Sequence, residues 1–420
     1  MSQDVPSAAS PTVSRARVSP AVTPAGTDRR PPGPPSPGRL AGVDLARGLA
    51  VLGMFAVHVG PEPSVGGPLG WSMELARGRS AALFAVLAGF SLVLLTGRPQ
   101  PRTGQAGRQA VGRVLIRSAV LVVLGYALTA LNTDVDVILS CYGLLFVLAL
   151  PLYRLRAATL AVVAAATVLV LPQVLYLLRA ALENGSWGDT VVAHDPLARV
   201  TGTDGLAGLL VTGAYPVPTW LPFIVAGMAV ARLDLDRPGA RNRLALSGTL
   251  LGVAGYGGSW LALHLVPGAQ AAVSAATGGG PAGSAWWSDA VGDDPTAGVP
   301  AWLLVAAPHS QTTWSILGNT GVALVVLAAC LTVTGRSPRL RWAVSPVTAV
   351  GAVPLTVYVG HILAIKALHT DDLAESAAPA VLLGFAAVAM LSALAWTRAF
   401  RRGPLEHALH AATTPAQLIR

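Results

Sequence analysis

Lysine is all but absent from this 420-residue chain, with Lys366 the single example, and charged residues of every kind make up only 12%. A soluble domain carries about a quarter charged residues. With 53% hydrophobic residues and a mean hydropathy of +0.58, a soluble globular fold is excluded. Cysteine is equally scarce: Cys141 and Cys330 both sit in apolar stretches, which excludes a disulfide framework and a thiolate metal site. No Walker loop, nucleophile elbow or HExxH pattern occurs, and no glycine fingerprint lies between a strand and a helix as dinucleotide binding requires, so nothing points to bound ATP, nicotinamide or a resident metal. The first 38 residues are rich in Pro, Ser and Ala without a signal-type apolar core, and read as a disordered cytoplasmic tail.

What is present is apolar sequence in long runs. Ten stretches suffice to cross a bilayer core of about 30 Å, near 42–60, 80–97, 111–131, 135–153, 157–178, 206–231, 244–266, 313–334, 346–366 and 378–399. The expected fold is all-α, a polytopic integral membrane helical bundle of about ten transmembrane helices. Pro216, Pro218 and Pro222 make the sixth stretch the least regular. Threading the loops alternately puts 22 of the 29 basic residues on one side and five on the other. Cytoplasmic loops hold the arginine, so both termini are expected in the cytoplasm and the protein in the cell membrane. The net charge of +9 follows from this bias and implies no nucleic-acid partner. Membrane lipids are the expected surroundings; Gly-rich faces such as GVAGYGG leave the oligomeric state open.

The first apolar stretch, RLAGVDLARGLAVLGMFAVHVG, carries Arg39, Asp44, Arg47 and His58. At 100° per residue, Asp44, Arg47 and His58 fall within roughly 60° of one another, and Arg47 and His58 lie about 16 Å apart along the axis. A buried Arg or Asp costs about 2.5 to 3.5 kcal/mol on insertion scales, so such groups face a polar cavity or each other. Asp44 also fits a helix N-cap and Arg47 its ion-pair partner, a purely structural role. His58 suits a general base, since imidazole exchanges protons near neutral pH. The outer ends of other stretches supply Glu74, Arg79, His309, Tyr358 and His361, the last two adjacent on one helix face. Together they would form an acid/base pocket with an oxyanion partner. Three histidines without local ligand spacing do not make a metal site. The outer loop 267–311 contains no Lys or Arg and presents Trp286 and Trp287, which fit either a sugar-stacking platform or an interfacial anchor on a loosely ordered loop.

The run RLAGVDLARGLAVLGMFAVH resembles the first-span signature of transmembrane acyltransferases. Further motifs place the resemblance in the heparan-alpha-glucosaminide N-acetyltransferase-like branch: GRSAALFAVLAGFSL at 78–92, DVILSCYGLLFVLALPL at 136–152, YPVPTWLPFIVAGMAVARL at 215–233, PLTVYVGHI at 354–362 and RRGPLEHAL at 401–409. They cover about 39–410, read as one acyltransferase-like membrane domain, with 411–420 a cytoplasmic tail. The resemblance implies transfer of an acyl group, commonly acetyl from coenzyme A, to a glycan or similar acceptor across the membrane, with Arg47 and His58 matching the signature Arg and His. Lysosomal members carry their key histidine in the loop after the first span, where GPEPSVGGPLGWSMELARG has none.

On this reading acyl-CoA approaches from the cytoplasm, its phosphates met by Arg39, Arg113, Arg117 and Arg243. His58 deprotonates an extracytoplasmic glycan or glycolipid acceptor, or carries the acyl group itself, and Arg79 or His361 stabilises the oxyanion. Glu74, His309, Tyr358, Trp286 and Trp287 are the expected acceptor-binding groups. The rival readings are a solute transporter or lipid flippase, for which the proline-broken sixth stretch is the candidate device, and a non-catalytic scaffold.

Overall fold

Helix is dictated here by the solvent. In a bilayer core every backbone N–H and C=O must be paired within its own segment or a closed barrel. The computed structural model describes residues 37–184, 190, 193–195, 205–235, 237, 239–292, 294, 298–370 and 373–419, and these contain helices and no strand. The tail expected over 1–38 falls almost wholly outside them, as does the side chain of Arg39.

The helices used below are α1 (Pro37–Val59), α2 (Gly67–Ala76), α3 (Arg79–Thr96), α4 (Gly104–Thr129), α5 (Leu139–Ala149), α6 (Ala157–Asn184) and α7 (Val217–Ala231). They continue as α8 (Ala240–Leu265), α9 (Ala269–Ala276), α10 (Thr313–Arg336), α11 (Ser345–Ala352), α12 (Pro354–Leu368), α13 (Ala378–Ala399) and α14 (Pro404–Ala412). Among the described residues six spans are long and apolar enough to cross a membrane, one of them α2 together with α3, and three more do so only as bent pairs. The pairs are Gly205–Thr212 with α7, bent by 64°; α8 with α9, by 101°; and α11 with α12, by 90°. The stretch expected at 135–153 is a shorter apolar helix, Leu139–Arg154. The protein is therefore a multi-pass helical membrane bundle, and the count of ten holds approximately.

Helix α1 lies at the centre, against α3, α10, α11 and α13. Two contacts are close enough to exclude any side chain. A Cβ on Gly351 would stand 1.7 Å from the carbonyl oxygen of Asp44, and one on Gly48 would stand 2.0 Å from that of Val347. Helices α3 and α7 meet in the same way at Gly89 and Gly227. Small residues let backbones touch, which is how membrane helices gain packing without a hydrophobic drive.

The loop 267–311 packs on itself more than its glycine content suggests. Val273, Ala282, Ala285, Val291, Trp302, Val305 and Ala307 close with Leu263 into a small separate core, and Trp286 packs on it.

Candidate active site

Alpha-helical spacing puts Arg47 near the middle of α1 and His58 at its last turn, and each of the two lines its own cavity. The cavity at the His58 end measures about 630 Å³ and is lined by His58, Arg77, Asp134, Asp136, Arg179, Tyr215, Asp289, Asp294, His309 and Gln311, among others. The one at the Arg47 end, about 290 Å³, is lined by Arg47, Ser91, Arg117, Tyr142, Leu355, Tyr358, Glu406 and apolar side chains.

The two cavities approach each other through a pair of imidazoles. His58 Nδ1 lies 3.0 Å from His361 Nε2, the ring planes differing by 7° with centroids 5.2 Å apart, an edge-to-edge arrangement. His361 Nδ1 bonds the carbonyl of Tyr358. A carbonyl only accepts, so the His361 proton sits on Nδ1 and its Nε2 must accept in turn. The proton between the rings then belongs to His58 Nδ1, and the His58 Nε2 keeps its lone pair; this tautomer is assigned from the bonding chain. Phe55 stacks on His361 at 4.7 Å and Tyr358 meets it edge-on at 5.0 Å, which fixes the ring. Tyr358 is 1% exposed and lines the opposite cavity, so the Tyr358–His361 layer separates the two chambers.

Arg47 is bound on three sides. Its Nη1 donates to Asp44 Oδ1 at 2.8 Å and to the Gly351 carbonyl at 3.0 Å, and Nη2 donates to Ser91 Oγ at 3.2 Å. It therefore ties α1 to the end of α11 and to α3. Arg117 lines the same cavity, and Arg113 stands one turn away from it on α4. The exposed His410 is held below its usual range by desolvation and by the positive field of Arg402, His407, Arg113 and Arg117, so basic groups of α4 and α14 gather at this end. Arg243 does not join them: it lines a separate groove of about 850 Å³ among α6, α7, α8 and α10.

At the His58 end, His309 is presented by an unusual turn. His309 and Gln311 both have φ of +58°, a left-handed conformation costly for residues with a Cβ. The turn is held by Gln311, which accepts from Thr219 Oγ1 at 2.6 Å and donates to the Ala214 carbonyl at 3.0 Å, and by Trp302 Nε1 donating to the Ser310 carbonyl. Burial lowers the affinity of His309 for a proton; Asp136 opposes this while Arg77 and Arg79 reinforce it. Burial raises the Asp136 carboxyl above the usual range, opposed by His309.

Several expected residues stand elsewhere. Arg79, expected as an oxyanion partner, is buried with its donors committed to Tyr256 Oη at 3.0 Å, the Glu74 carbonyl at 2.8 Å and the Trp287 carbonyl. It holds the loop 267–311 and does not line the cavity. Glu74, expected to bind acceptor, takes the N–H of Asp289 at 2.8 Å for the same purpose. Trp286 and Trp287 are tilted by 44° with centroids 6.0 Å apart and lie outside the cavity wall, so they form no flat platform. Conversely, Asp134, Asp136, Arg77 and Tyr215 line the cavity without having been singled out. The head of the DVILSCYGL run, a carboxylate just before an apolar helix, was the available signal for Asp136. Among the described residues no group of three or more His, Cys, Asp or Glu is arranged to hold a metal ion.

The family model described as "Heparan-alpha-glucosaminide N-acetyltransferase, catalytic" matches residues 39–255, slightly more than half of the chain. A second, "Protein of unknown function (DUF418)", matches residues 296–416. The first covers α1 and His58, and the second covers His309, His361 and α14. No curated protein matches the chain.

Proposed function

Since this chain belongs to the heparan-alpha-glucosaminide N-acetyltransferase catalytic family, we propose that it moves an acyl group, acetyl in the first instance, from a cytoplasmic acyl-CoA to an extracytoplasmic glycan or glycolipid. The observation that carries the reading is the hydrogen-bonded His58–His361 pair, with His58 lining one cavity and Tyr358, the hydrogen-bond partner of His361, lining another that also holds Arg47.

The donor enters the Arg47 chamber, with its phosphates on Arg117 in the chamber wall and on Arg113 one turn away, and its thioester directed toward Tyr358. Arginine suits this task through bidentate, charge-assisted bonds to phosphate. The acceptor occupies the His58 chamber, where the Asp134 and Asp136 carboxylates accept from sugar hydroxyls. His58 Nε2 removes the proton of the attacking hydroxyl or amine as its lone pair forms the new bond to the acyl carbon. His361 holds the positive charge that develops on His58 by accepting from its Nδ1–H. The tetrahedral oxyanion is met by His309 or Arg77, which face the same chamber. Collapse expels the coenzyme A thiolate, which takes the proton from His58 Nε2. Passage of the acyl group past Tyr358 is the one movement this sequence of steps requires.

Purified protein in lipid nanodiscs, given acetyl-CoA and a pool of glycan acceptors, is expected to release coenzyme A and label an acceptor. His58→Ala is expected to lose at least a hundredfold in turnover, the usual general-base contribution being about 10² to 10⁴. An unchanged rate in that variant removes His58 from the chemistry. The three bent spans favour one other reading, a transporter, since broken helices line solute sites. Uptake of a solute without any acylated product would establish it.

A further inference from the structure

Helix α12 carries both Tyr358 and His361, yet it has no cap of its own. It starts at a 90° corner with α11, its N-cap residue Val353 offers no side-chain acceptor, and Pro354 occupies the first helical position. The next backbone N–H groups, those of Leu355 and Thr356, would be orphaned inside the bundle. They are taken by a residue fifty positions further on. Glu406 Oε1 accepts from Leu355 N at 2.7 Å and from Thr356 N at 3.2 Å, and Oε2 bonds Thr356 Oγ1 at 2.6 Å. Thr356 Oγ1 returns the contact by accepting from Leu405 N at 3.1 Å, at the start of α14. Gly403 leaves the space: a Cβ there would stand 2.1 Å from Glu406 Oε2. The result is a reciprocal capping box between two helices, with two positive helix ends facing one carboxylate.

Resting on the reading of the histidine pair given above, we propose that Glu406 is a positioning residue for that pair, acting through the start of α12. The corner between α11 and α12 is gripped from both sides, by Arg47 on the Gly351 carbonyl and by Glu406 on the α12 N–H groups. Continuity with α11 does not set the axial position and rotation of α12, because the chain turns there. The cap sets them. Tyr358 lies about one turn beyond it and His361 about two, so a shift of this helix end moves His361 Nε2 relative to His58 Nδ1. The contact between those atoms selects the tautomer that leaves His58 Nε2 free to accept a proton. This gives the RRGPLEHAL run its role: Gly403 admits the carboxylate, Pro404 starts the helix, and Glu406 caps its neighbour. Glu406 also lines the Arg47 chamber beside Arg117. An arriving donor therefore meets the residue that holds the imidazoles in register.

The test compares wild type, Glu406→Ala and Glu406→Gln in nanodiscs, reading kcat, KM for acetyl-CoA, thermal unfolding and the ¹⁵N shifts of the His58 and His361 rings. Glu406→Ala is expected to lower kcat by about tenfold, the weight of a capping interaction, to leave KM nearly unchanged, and to mix the His58 tautomers. Glu406→Gln is expected to keep near-wild-type shifts and rate, because its amide oxygen still accepts from Leu355 and Thr356. Unaltered His58 shifts in Glu406→Ala, or a folded Glu406→Gln as impaired as Glu406→Ala, overturns the proposal. If Glu406→Ala does not fold, Thr356→Val removes only the hydroxyl bridge, and the same direction of shift is expected; unchanged ring shifts there overturn it equally. Should wild type transfer no acyl group, the acyltransferase reading fails, while the ring shifts still decide whether Glu406 sets the pair.

Discussion

At the scale of single residues, the polar groups divide by where their donors go. Arg79 and Arg47 both have their donors committed, yet Arg79 is buried with its guanidinium spent on Tyr256 and three carbonyls and stays out of the His58 cavity, while Arg47, bonded to Asp44, Gly351 and Ser91, also faces a cavity. Arg79→Met should leave those acceptors unpaired, at about 1 to 3 kcal/mol for each buried group abandoned. A lower unfolding temperature with turnover per folded molecule changed less than turnover in Arg47→Met is the expected outcome, measured in parallel on the same nanodisc preparations. His309 gives a pH-dependent case. Because burial lowers its proton affinity below the usual 6.5, the unfolded chain binds a proton that the folded chain refuses. Its contribution to stability is therefore complete above that value and falls as pH drops below it. His309→Gln should flatten the acid limb of an unfolding-temperature profile, and an acid limb as steep as that of wild type would assign the effect to other groups. The face shared by Asp44, Arg47 and His58 was legible in the sequence because helical periodicity alone defines it. The His58–His361 contact was not, since 303 positions separate the two and no local spacing encodes their approach. Glu74 and Arg79 looked functional for the same reason that they are buried: a charge near a membrane end is conspicuous whether it serves a substrate or a loop.

At the scale of elements, hydropathy located every apolar stretch but could not say which were straight. A run of apolar residues reads alike whether its helix continues or turns by 90°, as it does at Val353 between α11 and α12. The proline cluster did signal the break before α7, where Pro216 precedes the helix and Pro218 sits in its first turn. Pro222, by contrast, lies inside α7, where membrane helices tolerate it. Helix contacts were also beyond the sequence, although glycine spacing marks them in retrospect. Gly227 on α7 admits the Val86 carbonyl, to which a Cβ would come within 1.8 Å. Gly227→Val should therefore force α3 and α7 apart, at about 1 to 3 kcal/mol if the bundle relaxes as overpacked cores do. Thermal unfolding in nanodiscs would read this directly. A neutral result would mean that the two helices are free to separate. Gly384, whose Cβ would meet nothing within 4 Å, is the matched control and should accept Val far more readily.

At the scale of the whole molecule, one helix joins two chambers of different chemistry. The Arg47 chamber is the smaller and mostly apolar, with Arg117 in its wall and further basic groups of α4 and α14 near Arg117, while the His58 chamber is larger and carries carboxylates with imidazoles. That division matches a reaction in which an anionic thioester and a polar acceptor enter by separate chambers and meet only at the histidine pair. The loop 267–311 adds its own small core and lines the larger chamber through Asp289 and Asp294, which pair with Arg77 and Arg179. A glycine-rich segment gave no hint of that core, because its apolar members are scattered and meet only after folding. The measurement that tests the account most directly is sided. Wild type and His58→Ala are inserted into sealed vesicles, the orientation of each being scored by protease access to the C-terminal helix. Labelled acetyl-CoA is supplied only to the face bearing the chain termini and a glycan acceptor only to the other. The account predicts labelled acceptor in the far compartment for wild type and at least a hundredfold less for His58→Ala. Label appearing only when donor and acceptor share a compartment, or equal labelling by both proteins, would contradict it.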